Sequence, residues 1–157
     1  SYEGRVKEML HSFKYKSKIT LKEPLSRLLI EFTERYYLPV NHCDYVVPMP
    51  LSRSKLRERE FNQAEVITEK LAWHFGLEIL KDNLVRIKDT RPQVELNKNE
   101  RLDNVRGTFS LREPAAIKDK VILLFDDVLT TGSTASEAAK TLKDSGAGVV
   151  FVLTLAN

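Results

Sequence analysis

Cysteine is nearly absent from this chain of 157 residues. The single residue, Cys43, allows neither an internal disulfide nor a cysteine-cluster zinc site, and this usage indicates a reducing, cytoplasmic setting. The three histidines, His11, His42 and His74, do not have the spacing of metal ligands, so no protein metal site is predicted.

Long apolar runs and a strong charge of one sign are also missing. The longest apolar runs, VILLF and GVVFVLTLA, are shorter than the ~20 residues of a membrane span, and no signal peptide is visible. A formal charge of +3, from 25 basic and 22 acidic residues, is too small to indicate duplex DNA binding. The length and the ordinary hydrophobic content of 42% predict a single domain over residues 1–157.

The first half of the chain has mainly helical patterns. Residues 4–13 carry a helical apolar face, and Thr20 with Glu23 has the spacing of a capping box that opens a second helix. Residues 1–40 are therefore predicted to form a helical arm. A buried strand is predicted over Asp44–Pro50, followed by a helix that opens at Asn62 and ends at Gly76.

The second half alternates strands and helices. Strands are predicted near Leu80–Ile87 and Gly107–Leu111, with a polar stretch between them that resembles a mobile flap. A strand, a helix and a strand follow over residues 120–125, 133–145 and 148–155, which indicates a parallel sheet with right-handed crossovers. The predicted fold class is α/β, with a mainly parallel central sheet flanked by helices. The N-terminal arm and residues 77–112 would form a small cap over the carboxyl ends of the strands.

The stretch VILLFDDVLTTGST, residues 121–134, is the most informative part of the sequence. A buried strand ends in Asp126 and Asp127, and a turn around Gly132 opens a helix. Two carboxylates at a strand end suit the hydroxyls of a ribose, and a glycine turn at a helix start suits a phosphate. Helix capping alone would need one such residue, whereas six polar residues lie within nine positions: Asp126, Asp127, Thr130, Thr131, Ser133 and Thr134.

Four sequence blocks resemble known families. FDDVLTTGST resembles the phosphoribosyl-pyrophosphate signature of type I phosphoribosyltransferases. VVPMPLSRSKLRERxFNQA, with x at Glu60, resembles the ComF/GntX competence-protein family, as do TRPQVELNKNERLDNVRGTF and YEG…FKYK. The resemblance covers nearly the whole chain, and it implies a type I phosphoribosyltransferase fold.

The resemblance also implies roles for named residues. Asp126 and Asp127 would hold the ribose hydroxyls, and residues 130–134 (Thr130, Thr131, Gly132, Ser133 and Thr134) would cradle the 5′-phosphate. The turn after the first strand, with Leu51, Ser52 and Arg53, would face the pyrophosphate. Gln93 and Arg101 would lie on a loop that closes over the sugar, where Arg101 reaches the leaving pyrophosphate. Mg²⁺ would be bound together with phosphoribosyl pyrophosphate.

Several residues keep two interpretations. Lys55, Arg57 and Arg59 extend the basic run that begins at Arg53, and they suit either a pyrophosphate or a solvated surface. Asn62 and Gln63 suit either a ligand or, for Asn62, a helix N-cap. Glu60 stands where the family has glycine, and its carboxylate would weaken anion binding unless it points outward. The upstream four-cysteine zinc ribbon of the family is absent, so the chain is either a piece of a longer protein or a shorter member.

The predicted function is that of an enzyme that binds phosphoribosyl pyrophosphate with Mg²⁺ and transfers its ribosyl 5-phosphate group to an acceptor that the sequence does not identify. The alternative is a non-catalytic module that binds phosphoribosyl pyrophosphate or a nucleotide and acts through partners in competence. An α/β domain without a phosphate ligand ranks last. Exposed tyrosine and phenylalanine on the first helices suggest a homodimer, and the resemblance suggests a protein of the competence machinery as a partner.

Overall fold

The computed structural model describes residues 8, 9, 12, 13, 16–88, 104–129 and 131–156. Among these residues the longer α-helices are α1 Lys22–Arg35, α2 Arg53–Arg59, α3 Gln63–Phe75 and α4 Ser133–Asp144. The strands are β1 Tyr45–Pro48, β2 Glu78–Ile79, β3 Leu84–Arg86, β4 Phe109–Leu111, β5 Val121–Val128 and β6 Val149–Ala156. Short 3-10 helices span Lys16–Leu21, Pro39–His42 and Pro114–Ile117.

The central sheet is parallel throughout and has the strand order β2-β1-β5-β6. Its two inner strands are apolar, with Val46 and Val47 of β1 buried beside Ile122–Phe125 of β5. Strands that are buried in this way read as continuous apolar runs because helices cover both faces of the sheet. The predicted α/β class with a mainly parallel sheet flanked by helices is confirmed.

The strand order shows where the connections between strands leave toward opposite sides of the sheet. From β1 the chain passes through α2 and α3 to β2 on one side, and from β5 it passes through α4 to β6 on the other. With right-handed crossovers, α3 and α4 lie on opposite faces of the sheet. The carboxyl ends of β1 and β5 therefore form a topological switch point, which is where open α/β sheets bind ligands.

The entry into α1 differs from the sequence prediction. A 3-10 helix, Lys16–Leu21, continues directly into α1, and the N-cap position is held by Leu21 without a side-chain hydrogen bond. The capping box of Thr20 and Glu23 is therefore wrong. A preceding helical turn leaves no extended N-cap residue, which a capping box requires. The predicted helix over residues 4–13 falls largely outside the described residues, although Phe13 packs on Phe61 with ring centroids 5.5 Å apart.

The strand predicted near Leu80–Ile87 is confirmed as the shorter β3, Leu84–Arg86, because residues 81–83 form a turn that separates it from β2. β2 joins the edge of the central sheet, whereas β3 pairs with β4 in a separate antiparallel sheet. Asn83 stabilises the break, since its side chain accepts from the N–H of Glu113 at 2.8 Å and donates to the carbonyl of the same residue at 3.2 Å. Most of the predicted flap lies outside the described residues.

Within the part of the chain that the structure describes, no helix combines the length and the apolar character that crossing a membrane requires.

Candidate functional site

The acidic pair lies where the central sheet becomes narrower. β1 ends with Pro48 opposite Phe125, but β5 continues beside β6 with Asp126 opposite Thr154. The predicted strand over residues 120–125 is thus extended through the pair to Val128, because pairing with β6 does not stop at Phe125. The segment of β5 that contains Asp126 and Asp127 therefore lies beside β6 on one side. On its other side it extends beyond the last residue of β1.

The two carboxyl groups of this pair interact. The backbone N–H of Asp127 donates to Oδ1 of Asp126 at 2.9 Å. Burial, followed by the neighbouring charge of Asp127, raises the pKa of Asp126 to about 7. Although adjacent strand residues alternate between faces, these side chains act as one acidic unit at the switch point.

Gly132 opens α4 beside this acidic unit. It holds the N-cap position with φ of +75°, a conformation that a residue with a Cβ adopts only under strain. Because glycine has no side chain, it supplies no capping oxygen to the first N–H groups of the helix. The hydroxyls of Thr131 and Ser133 lie 3.1 Å apart. We call Leu129, Thr131 and Gly132 the β5 turn; together with the start of α4 it has the donors and the dipole that an anion requires.

The loop that follows β1 is organised by its own side chains. Ser52 is buried and caps α2 by accepting from the N–H of Lys55 at 3.3 Å, and its hydroxyl lies 2.9 Å from that of Ser54. Leu51 is half-buried, and Arg53 is exposed at the start of α2. We call residues 49–52 the β1 loop. The structure thus brings Leu51, Ser52 and Arg53 to the carboxyl end of β1, next to the end of β5.

Lys55 is the functional candidate that the sequence analysis did not select. Its positive charge acts on the carboxyl of Asp126 and lowers the pKa of that group, against the stronger effect of burial. The basic run forms a helix rather than an irregular loop, and the capped turn of that helix contains Lys55. Reading Ser52 as an N-cap would have revealed the helix, because capping serines accept from an N–H three residues later.

The hydrogen bonds of Asn62 confirm one of its two predicted roles, that of a helix N-cap. Asn62 is the N-cap of α3, since its Oδ1 accepts from the N–H of Ala64 at 3.1 Å. Its Nδ2 also donates to the carbonyl of Met49 at 3.0 Å, across thirteen positions of the chain. Gln63 is buried, and its Oε1 accepts from Arg59 at 2.9 Å.

Glu60 does not point into a buried pocket. Its side chain is exposed, and it holds the C-cap position of α2 with φ of +65°, where its N–H donates to the carbonyl of Leu56 at 2.8 Å. A left-handed backbone at this position explains why a glycine suits it. Three predicted site residues, Gln93, Arg101 and Thr130, lie outside the described residues.

The donor set at this site fits a magnesium ion that arrives with a phosphate ligand. In the described ranges no group of three or more His, Cys, Asp and Glu side chains could enclose a metal. Mg²⁺ does not need such an enclosure, because it retains waters and is usually bound through one or two carboxylates together with substrate phosphates. Asp126 and Asp127 are two carboxylates of the kind that such a bound ion would need.

Competence proteins are the relatives of this chain in sequence. It is 29% identical to competence protein F of Haemophilus influenzae over 158 residues, which cover 94% of this chain and 66% of that protein. It is 29% identical to competence protein ComFC of Streptococcus pneumoniae, covering 99% of this chain and 64% of that protein. The predicted resemblance to competence proteins is confirmed. DNA utilization protein YhgH of Escherichia coli is 28% identical, with 96% and 66% covered.

The chain spans roughly two thirds of the length of these curated relatives, 66% for competence protein F and 64% for ComFC. No family model matches it.

Solved structures share the fold. The glutamine phosphoribosylpyrophosphate amidotransferase of B. subtilis, complexed with ADP and GMP, superimposes with a TM-score of 0.55 at 16% identity, covering 88% of this chain and 27% of that one. A structure described as the allosteric regulatory enzyme of purine biosynthesis gives 0.54 at 16% identity, with 86% and 26% covered. The fold is therefore that of phosphoribosyltransferases, as the sequence analysis predicts.

Proposed function

We propose that this protein binds phosphoribosyl pyrophosphate with Mg²⁺ and transfers the ribosyl 5-phosphate group to a nucleophilic acceptor, with release of pyrophosphate. The observation that carries the proposal is the position of an acidic unit, Asp126 and Asp127, beside a helix that begins at an uncapped glycine. Carboxylates accept hydrogen bonds from sugar hydroxyls, and an uncapped helix start binds a phosphate. Both lie at the switch point of a parallel sheet.

The reaction divides the site into two halves. On the β5 side, the β5 turn and α4 hold the 5′-phosphate, and the acidic unit accepts hydrogen bonds from the ribose hydroxyls. On the β1 side, the β1 loop with Arg53 and Lys55 faces the pyrophosphate. As the bond between the anomeric carbon and the pyrophosphate oxygen breaks, the sugar becomes positive and the leaving group more negative. Nearby carboxylates stabilise the first charge and basic groups the second.

Mg²⁺ would neutralise part of the negative charge that develops on the pyrophosphate. Lys55 would act in the same direction, because its charge already acts on Asp126. A cation near the acidic unit favours the ionised carboxylates, which are the forms that accept hydrogen bonds from ribose.

Replacing both acidic residues tests the ligand assignment. The double variant Asp126→Asn, Asp127→Asn should bind phosphoribosyl pyrophosphate with Mg²⁺ at least about tenfold more weakly in calorimetry. A matched control, Asp44→Asn with Asp144→Asn, removes the same charge at exposed positions away from the switch point, namely before β1 and at the end of α4. The control should keep its affinity within about twofold. Equal affinities of the wild type and the Asp126, Asp127 variant would contradict the proposal.

A non-catalytic role is the second candidate, and the names of the relatives favour it. These names refer to competence and DNA utilization rather than to a transferase. In that case the protein would bind the same ligand and act through a partner in competence. Pyrophosphate release distinguishes the two: an enzyme offered nucleobases and amines releases it, whereas a binding module binds the sugar phosphate without turnover.

The cellular setting and the assembly belong to the same proposal. A single cysteine supports a cytoplasmic protein. A homodimer through the aromatic surface of α1 stays a prediction; Phe32 and Tyr36 are exposed there, and their ring centroids lie 4.6 Å apart.

A further inference from the structure

We propose that Asn62 is a positioning residue that sets the orientation of the β1 loop toward the pyrophosphate half of the ligand. This inference rests on the proposed function, because the β1 loop is assigned to pyrophosphate there. Asn62 itself need not touch the ligand. It acts through the backbone of Met49, the first residue of the loop.

Both backbone polar groups of Met49 are fixed by other parts of the chain. Its N–H donates to the carbonyl of Phe125 in β5 at 2.8 Å, and its carbonyl accepts from Nδ2 of Asn62 at 3.0 Å. Pro50 follows, and its ring holds φ near its fixed value and offers no N–H. The peptide that connects Met49 to Pro50 therefore has a defined orientation, and it determines how the remaining loop leaves the sheet.

The far end of the same segment is attached to the next residue of α3. Gln63 accepts from Nη1 of Arg59 at 2.9 Å, and Arg59 is the last residue of α2. Two adjacent residues at the start of α3 thus hold the beginning of the β1 loop and the end of α2. The basic helix that carries Lys55 lies between these two attachments.

Helix capping alone does not account for the side chain of Asn62. Capping uses only Oδ1, which accepts from Ala64, and serine or threonine performs it as well or nearly as well. The Nδ2 donor is the part that reaches Met49. A serine hydroxyl also has a donor, but its side chain is one bond shorter, so we expect it to cap the helix without reaching the carbonyl of Met49.

The attachment predicts a selective effect on the two halves of the ligand. Pyrophosphate binding should depend on Asn62, because the β1 loop depends on it. Binding of the 5′-phosphate should not depend on Asn62, since the β5 turn is held by a different hydrogen bond, from the N–H of Leu129 to the carbonyl of Ala156 at 2.8 Å.

The variant Asn62→Ser tests this, because it retains a capping oxygen and removes the donor to Met49. Two probes are titrated by calorimetry, Mg²⁺-pyrophosphate and ribose 5-phosphate. We expect the affinity for pyrophosphate to fall by about fivefold or more and that for ribose 5-phosphate to stay within about twofold. Asn83→Ser is the matched control, since Asn83, just before β3, also donates to one backbone carbonyl and accepts from one N–H.

The possible results distinguish a failure of this inference from a failure of the proposed function. If Asn62→Ser lowers both affinities equally, or neither, Asn62 is merely structural and the inference is overturned. If the pyrophosphate affinity of Asn83→Ser falls as far, the effect is general destabilisation, and the inference is again overturned. A wild type that binds neither probe refutes the proposed function itself. Asn62→Thr gives the same test if the serine variant does not fold, because threonine is also a capping residue.

Discussion

The β1 loop and the β5 turn leave neighbouring parallel strands at the same edge of the sheet, yet their polar groups are used differently. In the β1 loop, Ser52 caps the following helix and Asn62 holds the first carbonyl. In the β5 turn, Gly132 provides no capping oxygen, and the preceding Asp126 is an acid with a raised pKa. The helix after the β1 loop thus has a side-chain cap, whereas the helix after the β5 turn begins at a glycine that provides none.

This difference separates stability from binding. A glycine at the N-cap stabilises a helix less than a capping serine does, by a few tenths of a kcal/mol. A carboxylate that is buried beside another carboxylate also lowers the stability of the fold. We therefore expect the β5 side to be the less stable half of the site and the more sensitive to phosphate ligands, and the variants below test that comparison.

The largest expected effect is the pH dependence contributed by Asp126. Its pKa is raised from the usual value of 3.8 to about 7 in the folded protein. Below pH 4 the group is protonated in the folded and unfolded states alike. As the pH rises from 4 to 7, the unfolded state ionises first, so stability is lost through that window and levels off above it. Asp126→Asn should therefore gain about 2 to 4 kcal/mol relative to the wild type between pH 4 and pH 8, measured by urea unfolding.

Asp44 provides a control of opposite sign at the other edge of the same sheet. Hydrogen bonds from the N–H of Val121 and from Lys120 hold the pKa of Asp44 below its usual value. Its contribution is present above the unfolded pKa and is lost as the pH falls, so Asp44→Asn should show the reverse trend. A pH-independent difference between Asp126→Asn and the wild type would refute the raised pKa of Asp126.

A smaller effect is expected from a methyl group at Gly132. Gly132→Ala meets no atom closer than Leu129 Cδ1 at 3.9 Å, but φ of +75° strains any residue with a Cβ, at a cost of about 1 to 2 kcal/mol. If the backbone changes φ to relieve this strain, the first N–H groups of α4 will point in a different direction. Ribose 5-phosphate should therefore bind about tenfold more weakly.

Gly76 offers the matched control for this substitution. It ends α3 with φ of +67°, and an added Cβ would have nothing within 4 Å. Gly76→Ala should lose similar stability in thermal unfolding but retain the affinity for ribose 5-phosphate. Equal losses of affinity in both variants would mean that the β5 turn has no special role.

The sequence predicts the β5 side of the site better than the β1 side, for a physical reason. The strand, the acidic pair, the glycine turn and the helix after it are contiguous, so local pattern is sufficient. The contact between Asn62 and Met49 joins residues thirteen positions apart, and the effect of Lys55 on Asp126 joins more distant ones. Such contacts depend on how helices pack against the sheet. The capping box at Thr20 is wrong for a local reason, because the 3-10 helix over Lys16–Leu21 runs directly into α1.

The smallest effect is expected at Glu60, on the β1 side. Glu60→Gly removes the left-handed strain at the end of α2, and because glycine loses more entropy on folding, the net gain in stability should be about 0.5 to 1 kcal/mol. The exposed side chain should leave the affinity for Mg²⁺-pyrophosphate within about twofold. Asp82→Gly, at φ of +56° in the turn between β2 and β3, removes the same charge elsewhere and should also stabilise the fold. If Glu60→Gly alone tightens pyrophosphate binding severalfold, the carboxylate of Glu60 lies close to the anion, and the β1 loop is then tuned by a side chain as well as by its backbone bonds.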